Sequence, residues 1–587
     1  MKTMIGAAEK STTTTAYFDI TELLAFLTTS HIVTGIQRVQ VEAILASVGE
    51  RDVERPSICI IFGSDRVWRA LPDGLFAQLI STADQGIADW QAEFTRFKTA
   101  LATAERVVFS PGDEIYFLGT TWHIAGLYES LCDVSKEGVK CIFYVHDMIP
   151  MNHTEYIVPH YEAIFSYSLY GITKVADAII CNSEATRRDF LELTGYDRPL
   201  KVVNLAIQPP LSLYEPDKND AATLSRYGLA RRNYVLMVGT VEPRKNHIAV
   251  ANVWNDLSKR FGDACPAVVI AGRVGWNAQG IGQQLEIMNR SGKILHLQSL
   301  EDNELGHLYQ NCMFTVYASR YEGWGLPVTE SLAFGKLCVC ASNSSLNEAG
   351  QGLAIHFDER SERELLDTLT RLIEQPHLVH EQEQEIRSKA TFKTWQTFVR
   401  EIHALVKTLP HRQDNMTPEI TPASTYWFGR GRQPNAFSGE MPGEFLRSGP
   451  GWHFAEEKVS WTTGGKSSLT FRPSKAGNFD CYIHVVGPLG STHMELSSTD
   501  GILWEGFVDG ERLVWFHLGK LTAGEMVRLH IVSDQRLKHP STDTDPEKPG
   551  TGIALIALQI RDRDNGSKQT TSAPATLEVL RSFCPPG

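Results

Sequence analysis

The chain of 587 residues is 42% apolar and 21% charged, a globular composition with enough apolar material for sizeable cores, and at roughly 150 residues per domain it is expected to form two to four domains. Its 56 Lys and Arg against 69 Asp and Glu give a formal charge of −13, which argues against a general nucleic-acid binder and leaves room for a local basic pocket. The ten scattered cysteines show neither metal-ligand spacing nor a disulfide framework, the N-terminus lacks the apolar core of a signal peptide, and no apolar run approaches the ~20 residues that span a bilayer. A cytoplasmic protein in a reducing compartment is expected.

Residues 16–205 alternate short apolar runs with helical periodicity. "SICIIFG", "EIYFLG", "CIFYVHD", "DAIICNS" and "KVVNLAI" read as strands buried on both faces, and "GIQRVQVEAILASV" and "HYEAIFSYSLYGITKVA" as helices. Strands separated by helices imply right-handed crossovers and a mostly parallel sheet. The rhythm restarts in residues 206–408 with "NYVLMVGTV", "PAVVIAGRV", "GKILHLQSL", "MFTVYAS" and "LCVCAS". Two α/β domains in series are therefore expected, each with its own sheet. Residues 409–425 are polar and proline-containing, as a linker should be. From 426 to 562, short strands between Gly, Asp and Ser turns suggest an antiparallel β-sandwich. Residues 563–587 read as a flexible Ser/Thr/Pro-rich tail.

In open α/β sheets ligands sit beyond the carboxyl ends of strands, where loops enter helices. "VGTVEPRKNH" delivers Arg244 and Lys245 to such a junction, where cations and free backbone N–H groups suit a diphosphate. The alternative is a solvated turn with two surface cations. "YEGWGLPVTE" has the matching layout: a strand ends, a Gly-x-Gly turn brings backbone amides close to the cleft, and Pro327 fits the first turn of a helix. Carboxylates accept hydrogen bonds from vicinal hydroxyls. Glu322 before the turn and Glu330 inside the helix thus read as one carboxylate on a sugar ring and one on a ribose. Taken together, the two junctions favour the functional reading over a merely capped helix.

These motifs, with "AGRVGW" and, in the first domain, "YVHDMIP", "ADAIICNSEATRRDF" and "TGIQRV", resemble the family-4 (group 1) retaining glycosyltransferases of the GT-B fold, whose signature is E-x7-E. The resemblance covers roughly residues 16–408. It implies an α/β fold of two Rossmann-like domains facing a cleft, an acceptor domain at 16–205 and a nucleotide-sugar donor domain with closing helices at 206–408. The C-terminal sandwich-like domain lies outside it.

Carried over residue by residue, the resemblance puts the donor diphosphate on Arg244 and Lys245, the ribose on Glu330 and the transferred sugar on Glu322. The amides of Gly323, Trp324, Gly325 and Leu326 complete the cradle, with Gly239, Gly272 and Gly35 at its glycine turns. His146 falls where the family places a histidine near the reacting sugar, the alternative being a structural histidine in a strand-to-loop turn. The resemblance implies same-face substitution with the leaving phosphate helping to deprotonate the acceptor. No Asp-x-Asp occurs in the α/β part, so no metal is expected, and Arg244 and Lys245 could balance the diphosphate. The donor is the only cofactor-like molecule implied, with GDP-mannose the first guess because "GTVEPRKNH" looks most like the mannosyl- and rhamnosyl-transferring members of surface-polysaccharide synthesis, such as O-antigen or capsule.

The implied acceptor is a polysaccharide or lipid-linked glycan, and peripheral contact with the inner membrane face stays open. Arg38 lies either near the cleft or on the surface. Arg187 and Arg188 read as a solvated helix face, with an anionic acceptor or membrane as the alternative; Ser183 reads as a helix cap and Trp395 as core. Trp427, Trp452, Trp461, Trp504 and Trp515 are read first as sandwich core. Stacking on glycan rings and a docking surface for pathway enzymes are the other readings. Two rival functions remain at this point: a nucleotide-sugar hydrolase or epimerase of the same fold, and an inactive glycan-binding scaffold.

Overall fold

The computed structural model describes residues 14–30, 33, 35–49, 55–63, 65–82, 87–124, 126–158, 161–207, 220–275, 278–288, 292–298, 300–409, 417–429, 441–448, 451–453, 456, 458–488, 491–533 and 551–564. The expected tail from 565 and residues 410–416 of the expected linker lie outside the described residues.

The first sheet is built from β1 (Ala16–Asp19), β2 (Ser57–Phe62), β3 (Trp68–Ala70), β4 (Glu114–Phe117), β5 (Lys140–Val145), β6 (Ala178–Cys181) and β7 (Leu200–Val202), in the order β3-β2-β1-β4-β5-β6-β7. All neighbours are parallel except β3, which returns antiparallel at the edge. The apolar runs along β1, β4, β5 and β6 are buried on both faces, as helices on either side require. The order reverses between β1 and β4, which opens a crevice at the carboxyl ends of these strands.

The second sheet contains β8 (Tyr234–Val238), β9 (Ala267–Ala271), β10 (Ile294–Leu297), β11 (Thr315–Tyr317), β12 (Cys338–Ala341) and β13 (Ile355–Phe357), in the order β10-β9-β8-β11-β12-β13 and parallel throughout. Its switch point lies between β8 and β11. The helix Trp395–Lys407, read from sequence with the second domain, packs against the helix Ile36–Gly49 of the first. Phe398 on this helix meets Tyr144 edge-on at 5.4 Å, and Lys140 Nζ donates to the Leu409 carbonyl at 2.8 Å. Trp395 is buried core, as read from sequence. Among the described residues no helix is long and apolar enough to cross a membrane.

The C-terminal strands are β14 (Glu419–Ile420), β15 (Thr425–Trp427), β16 (Arg447–Ser448), β17 (Ser460–Trp461), β18 (Lys466–Pro473), β19 (Gly477–Val486), β20 (Thr492–Ser498), β21 (Gly501–Val508), β22 (Glu511–Leu521), β23 (Val527–Ser533) and β24 (Ala554–Asp562). They form two facing sheets, β14-β18-β23-β20-β21 and β15-β24-β19-β22, antiparallel apart from the short β14 pairing. Period-two alternation sends Cys481, Ile483, Val514, Phe516, Leu529 and Leu558 into one core. The expectation for the tryptophans divides: Trp452 is buried, Trp427, Trp461 and Trp504 are partly buried, and Trp515 is 56% exposed.

The sandwich is docked on the first domain by a buried ionic cluster and an aromatic wedge. Arg447, with 1% of its side chain exposed, lies 2.5 Å from Glu129 on the helix Leu127–Lys136 and 2.9 Å from Glu444. Phe445 inserts among Tyr128, Tyr167 and Tyr170, its centroid 5.3 Å from Tyr167 and 4.9 Å from Tyr170. Removing one partner from a buried ion pair leaves an uncompensated charge. Arg447→Ala is therefore expected to cost roughly 3 kcal/mol or more and to separate the melting of the sandwich from that of the α/β body in calorimetry. A variant with the wild-type melting profile would contradict this account of the docking.

Candidate active site

Proline fixes the start of the turn after β8. Pro243–Lys245 forms one 3-10 turn, and Asn246, in the left-handed region that asparagine tolerates, opens the helix His247–Phe261. The turn is tied to the loop after β11: Arg320 N donates to the Arg244 carbonyl at 2.9 Å, and Arg244 Nη1 donates to the Tyr321 carbonyl at 2.5 Å. This crossing brings both cations onto one carboxylate. Glu322 Oε1 lies 2.7 Å from Arg244 Nη1 and 2.5 Å from Lys245 Nζ, and it accepts from the Tyr317 hydroxyl at 2.8 Å.

Burial alone would raise the Glu322 pKa, but the adjacent Arg244 and Lys245 charges bring it down to about 2. Burial also works against Arg244, whose pKa nonetheless rises because Glu322 lies beside it. Lys245 goes down: burial, aided by Arg244, outweighs the pull of Glu322. A second carboxylate, Glu242, lies 3.4 Å from Arg244, so the two cations face two anions.

The chain between the two glutamates is pinned by hydroxyls. Ser344 Oγ accepts from Glu322 N at 2.9 Å, while Ser345 Oγ donates to the carbonyls of Glu322 at 2.9 Å and Trp324 at 2.8 Å. Gly325 precedes the helix Leu326–Ala333, with Pro327 in its first turn. The first amides of a helix have no intrahelical partner. Glu330 lies one turn in, half-buried, and accepts from the Tyr309 hydroxyl at 2.8 Å. Trp324 turns its ring into the core, so only its backbone is available to the loop. Behind the cations, Gly272 and Gly239 touch backbone to backbone; a Cβ on Gly272 would overlap the Gly239 carbonyl.

The first domain contributes from the opposite side. His146 follows β5 and is buried, and its Nε2 lies 2.7 Å from the Leu118 carbonyl. A carbonyl only accepts, so Nε2 carries the proton and Nδ1 keeps its lone pair. Burial lowers the His146 pKa to about 4 against the opposing effect of that hydrogen bond, and the ring is neutral near pH 7. Asp147 caps the following turn by accepting from Ile149 N at 3.0 Å; burial raises its pKa, opposed by the charge of Arg244 across the cleft. A pocket beside His146 is lined by Ile36, Gly119, Trp122, Asp147 and Phe165. Gly35, in the left-handed region, begins the helix Ile36–Gly49 at its edge.

The domains meet at the site itself. Gly323 packs on the His146 backbone, and Thr186 Oγ1 reaches the Gly323 carbonyl at 3.3 Å. Glu348 of the second domain accepts from the Glu184 and Ala185 amides at 2.9 and 3.0 Å, capping the helix Glu184–Thr194 of the first. Ser183 also caps this helix, through the Thr186 amide. Arg187 pairs with Glu184 and Arg188 with Asp189 on the helix surface. Arg38, left open by the sequence, spans the cleft to Asp302 at 3.1 Å and lies in the field of Glu330.

His146, Arg244, Lys245, Glu322 and Gly323 are thus gathered in one place. Glu330 and Leu326 lie on the adjoining helix, Gly239 and Gly272 behind the cations, and Gly35 on the opposite rim. Sequence reasoning missed Tyr317, Ser344, Ser345, Thr186 and Glu348. The small hydroxyl cluster "SNSS" after β12 was the available signal, since that strand also ends at the switch-point edge.

Comparison with known proteins bears on the same region. The family described as glycosyl transferases group 1 matches residues 226–391, which include Arg244, Lys245, Glu322 and Glu330. Over these residues the chain is similar to a group 1 glycosyl transferase. The serotype-specific mannosyltransferase WbdA of Escherichia coli is 25% identical over 327 residues, 54% of this chain and 39% of that protein. O-antigen chain mannosyltransferase B of Escherichia coli is 30% identical over 205 residues, 35% of this chain and 53% of its own length. The chain therefore spans well under two thirds of these relatives. Among solved structures, Anabaena Alr3699/HepE in complex with UDP matches 68% of this chain and 100% of its own at 14% identity, with a TM-score of 0.46.

Within the matched region, a Cβ on Gly323 would overlap the His146 carbonyl oxygen of the other domain. Gly323→Ala must push the two domains apart and is expected to cost about 1–3 kcal/mol, read as a lower urea midpoint. An unchanged midpoint would show that this contact is not held in solution.

Proposed function

We propose that the protein is a retaining glycosyltransferase that moves a hexose, mannose in the first instance, from a nucleotide-diphosphate sugar to a polysaccharide or lipid-linked glycan. The observation that carries this reading is the Glu322 carboxylate holding Arg244 and Lys245 at the strand ends, with His146 facing them from the other domain. The mannosyltransferase names of the relatives support mannose and hence GDP-mannose as donor. The acceptor would be met at the inner face of a membrane.

In this reading the diphosphate lies on Arg244, Lys245 and the first amides of the helix Leu326–Ala333. Cations preorganised in a water-poor site stabilise charge as it grows on the leaving group. Because two cations supply that charge, the transfer is proposed to be metal-independent. Glu322 keeps the cations in place and offers its carboxylate to the sugar hydroxyls, while Glu330 accepts from the ribose. His146, with Nδ1 unprotonated, accepts a hydrogen bond from the sugar and orients it. The bond from C1 to the diphosphate oxygen breaks and a bond from C1 to the acceptor oxygen forms on the same face. The acceptor proton passes to the departing phosphate. The products are a nucleoside diphosphate and a lengthened glycan.

A thermal-shift series with GDP, UDP, dTDP and ADP, each with and without EDTA, tests the site. A ligand at 100 times its Kd stabilises the folded state by about 2.7 kcal/mol. One nucleotide is expected to give a clear shift that EDTA leaves intact and Lys245→Ala abolishes. No shift with any of them would remove the donor-site reading, and a shift that needs a divalent cation would remove the metal-independent one.

Lys245 also sets a pH dependence. A cation is needed at the diphosphate, and burial places the Lys245 pKa below the usual lysine value of about 10.4. Nucleotide affinity is therefore expected to fall as pH rises through that lowered value, whereas Glu322, with a pKa of about 2, stays ionised. Titration of affinity from pH 6 to 10 by calorimetry checks this. A flat profile in the wild type would show that Lys245 is not at the diphosphate.

A further inference from the structure

Aromatic rings on the first domain form a connected row that the proposed transfer leaves unused. The loop after β4 carries Trp122 and His123, and the helix Tyr161–Val175 carries Tyr161 and Phe165. Phe165 meets Trp122 edge-on, with ring centroids 4.8 Å apart. Trp122 lies 6.0 Å from His123, and His123 lies 5.6 Å from Tyr161. Exposure rises from buried Phe165 through half-buried Trp122 to exposed His123, and Tyr161 is half-buried beside it. The row therefore runs from the interior out to solvent.

Its inner end opens on the cleft. Phe165 and Trp122 line the pocket beside His146, together with Asp147. Asp147 stands at the domain contact, since a Cβ on Gly323 would come within 2.8 Å of the Asp147 Cβ. One Asp147 oxygen accepts from Ile149 N at 3.0 Å. Among the described residues, its second oxygen and the Trp122 indole N–H make no hydrogen bond. The pocket thus offers one acceptor and one donor between apolar walls. A carboxylate at this end disfavours an anionic group. Alkyl chains pack on continuous aliphatic surface, whereas indole, imidazole and phenol each join a flat face to a polar edge. Sugar rings, with apolar faces and hydroxyl edges, match that alternation.

We propose that this row is an extended acceptor track. The terminal sugar of a neutral oligosaccharide enters the pocket at Trp122 and Asp147, and the sugars behind it stack along His123 and Tyr161. The track rests on the glycosyltransferase reading, in which Arg244 and Lys245 hold the leaving diphosphate on the second domain and the acceptor arrives from the first. It adds that chain length, and not the terminal sugar alone, determines acceptor binding.

Saturation-transfer NMR titration of the full chain tests the track, using α-mannose and isomaltose oligomers of one to four sugars, with and without GDP. In at least one series the wild-type Kd is expected to fall about tenfold or more from one sugar to four. Trp122→Ala should abolish binding of every oligomer. His123→Ala and Tyr161→Ala should bind the tetramer no tighter than the wild type binds the dimer. Because His123 is exposed, His123→Ala should keep the wild-type melting temperature, so that its lost affinity is not a lost fold. Octyl α-mannoside should bind no tighter than methyl α-mannoside. The track is overturned by binding in neither series, by a Kd independent of length, or by length dependence that survives in both His123→Ala and Tyr161→Ala. Preference for the octyl glycoside would overturn it in favour of a lipid groove. The nucleotide thermal shift reports separately on the donor site. A wild type that GDP stabilises but no oligomer binds loses the track alone, whereas one that oligomers bind but no nucleotide stabilises keeps the aromatic row and loses the donor reading.

Discussion

One buried carboxylate determines how the rest of the cleft is arranged. Glu322 is shared by Arg244, Lys245 and the Tyr317 hydroxyl, and none of the three charges would be tolerable at that depth without the others. Desolvation of an isolated ion costs several kcal/mol even after relaxation. Glu242 supplies a second carboxylate 3.4 Å from Arg244, and the lowered pKa of Lys245 follows from burial and from Arg244. The fold therefore holds two cations, each against a carboxylate, at the carboxyl ends of β8 and β11.

The same loop joins the two domains. Gly323, the residue after Glu322, lies against the backbone of His146, so the position of the cation cluster relative to the histidine is fixed by a backbone contact. Side chains would permit more slack. Glu348 adds a second tie by capping a helix of the first domain from the second; a carboxylate at a helix N-terminus gains from both its amides and the dipole. The bridge from Arg38 to Asp302 is a weaker tie, since both side chains are partly exposed and water screens them. Two firm contacts lie at the floor of the cleft and one loose contact at its rim. Relative motion of the domains would thus open the rim first and leave the floor as pivot.

How far the sequence revealed this depends on the distance over which each feature is encoded. The strands were legible because their apolar runs are local, and the glycine and proline punctuation around Arg244 and Glu322 marked the two loops. What could not be read was that these loops cross. Arg244 and Glu322 stand 78 positions apart in the chain, and only the pairing of β8 with β11 brings them together. Glu322 therefore read as a carboxylate open to a sugar, although in the fold it is first the counter-ion of its own cations. Ser344 and Ser345 escaped because hydroxyls in a loop carry no periodicity. Arg38 stayed undecided for a related reason: its partner belongs to another domain.

The docking of the sandwich was the least legible feature, and it has the widest structural reach. Phe445 and Arg447 lie within residues 426–562, read from sequence only as sandwich, with no local signal that they face another domain. Yet Phe445 packs on Tyr128, whose hydroxyl bonds Ser168 and lies 2.7 Å from Thr121 Oγ1. Ser168 and Thr121 both line the pocket beside His146. One buried ring is thus the back wall for the sandwich and the support for the pocket. A close-packed interior passes displacement along instead of absorbing it. Phe445 therefore links the packing of the sandwich to the wall of that pocket.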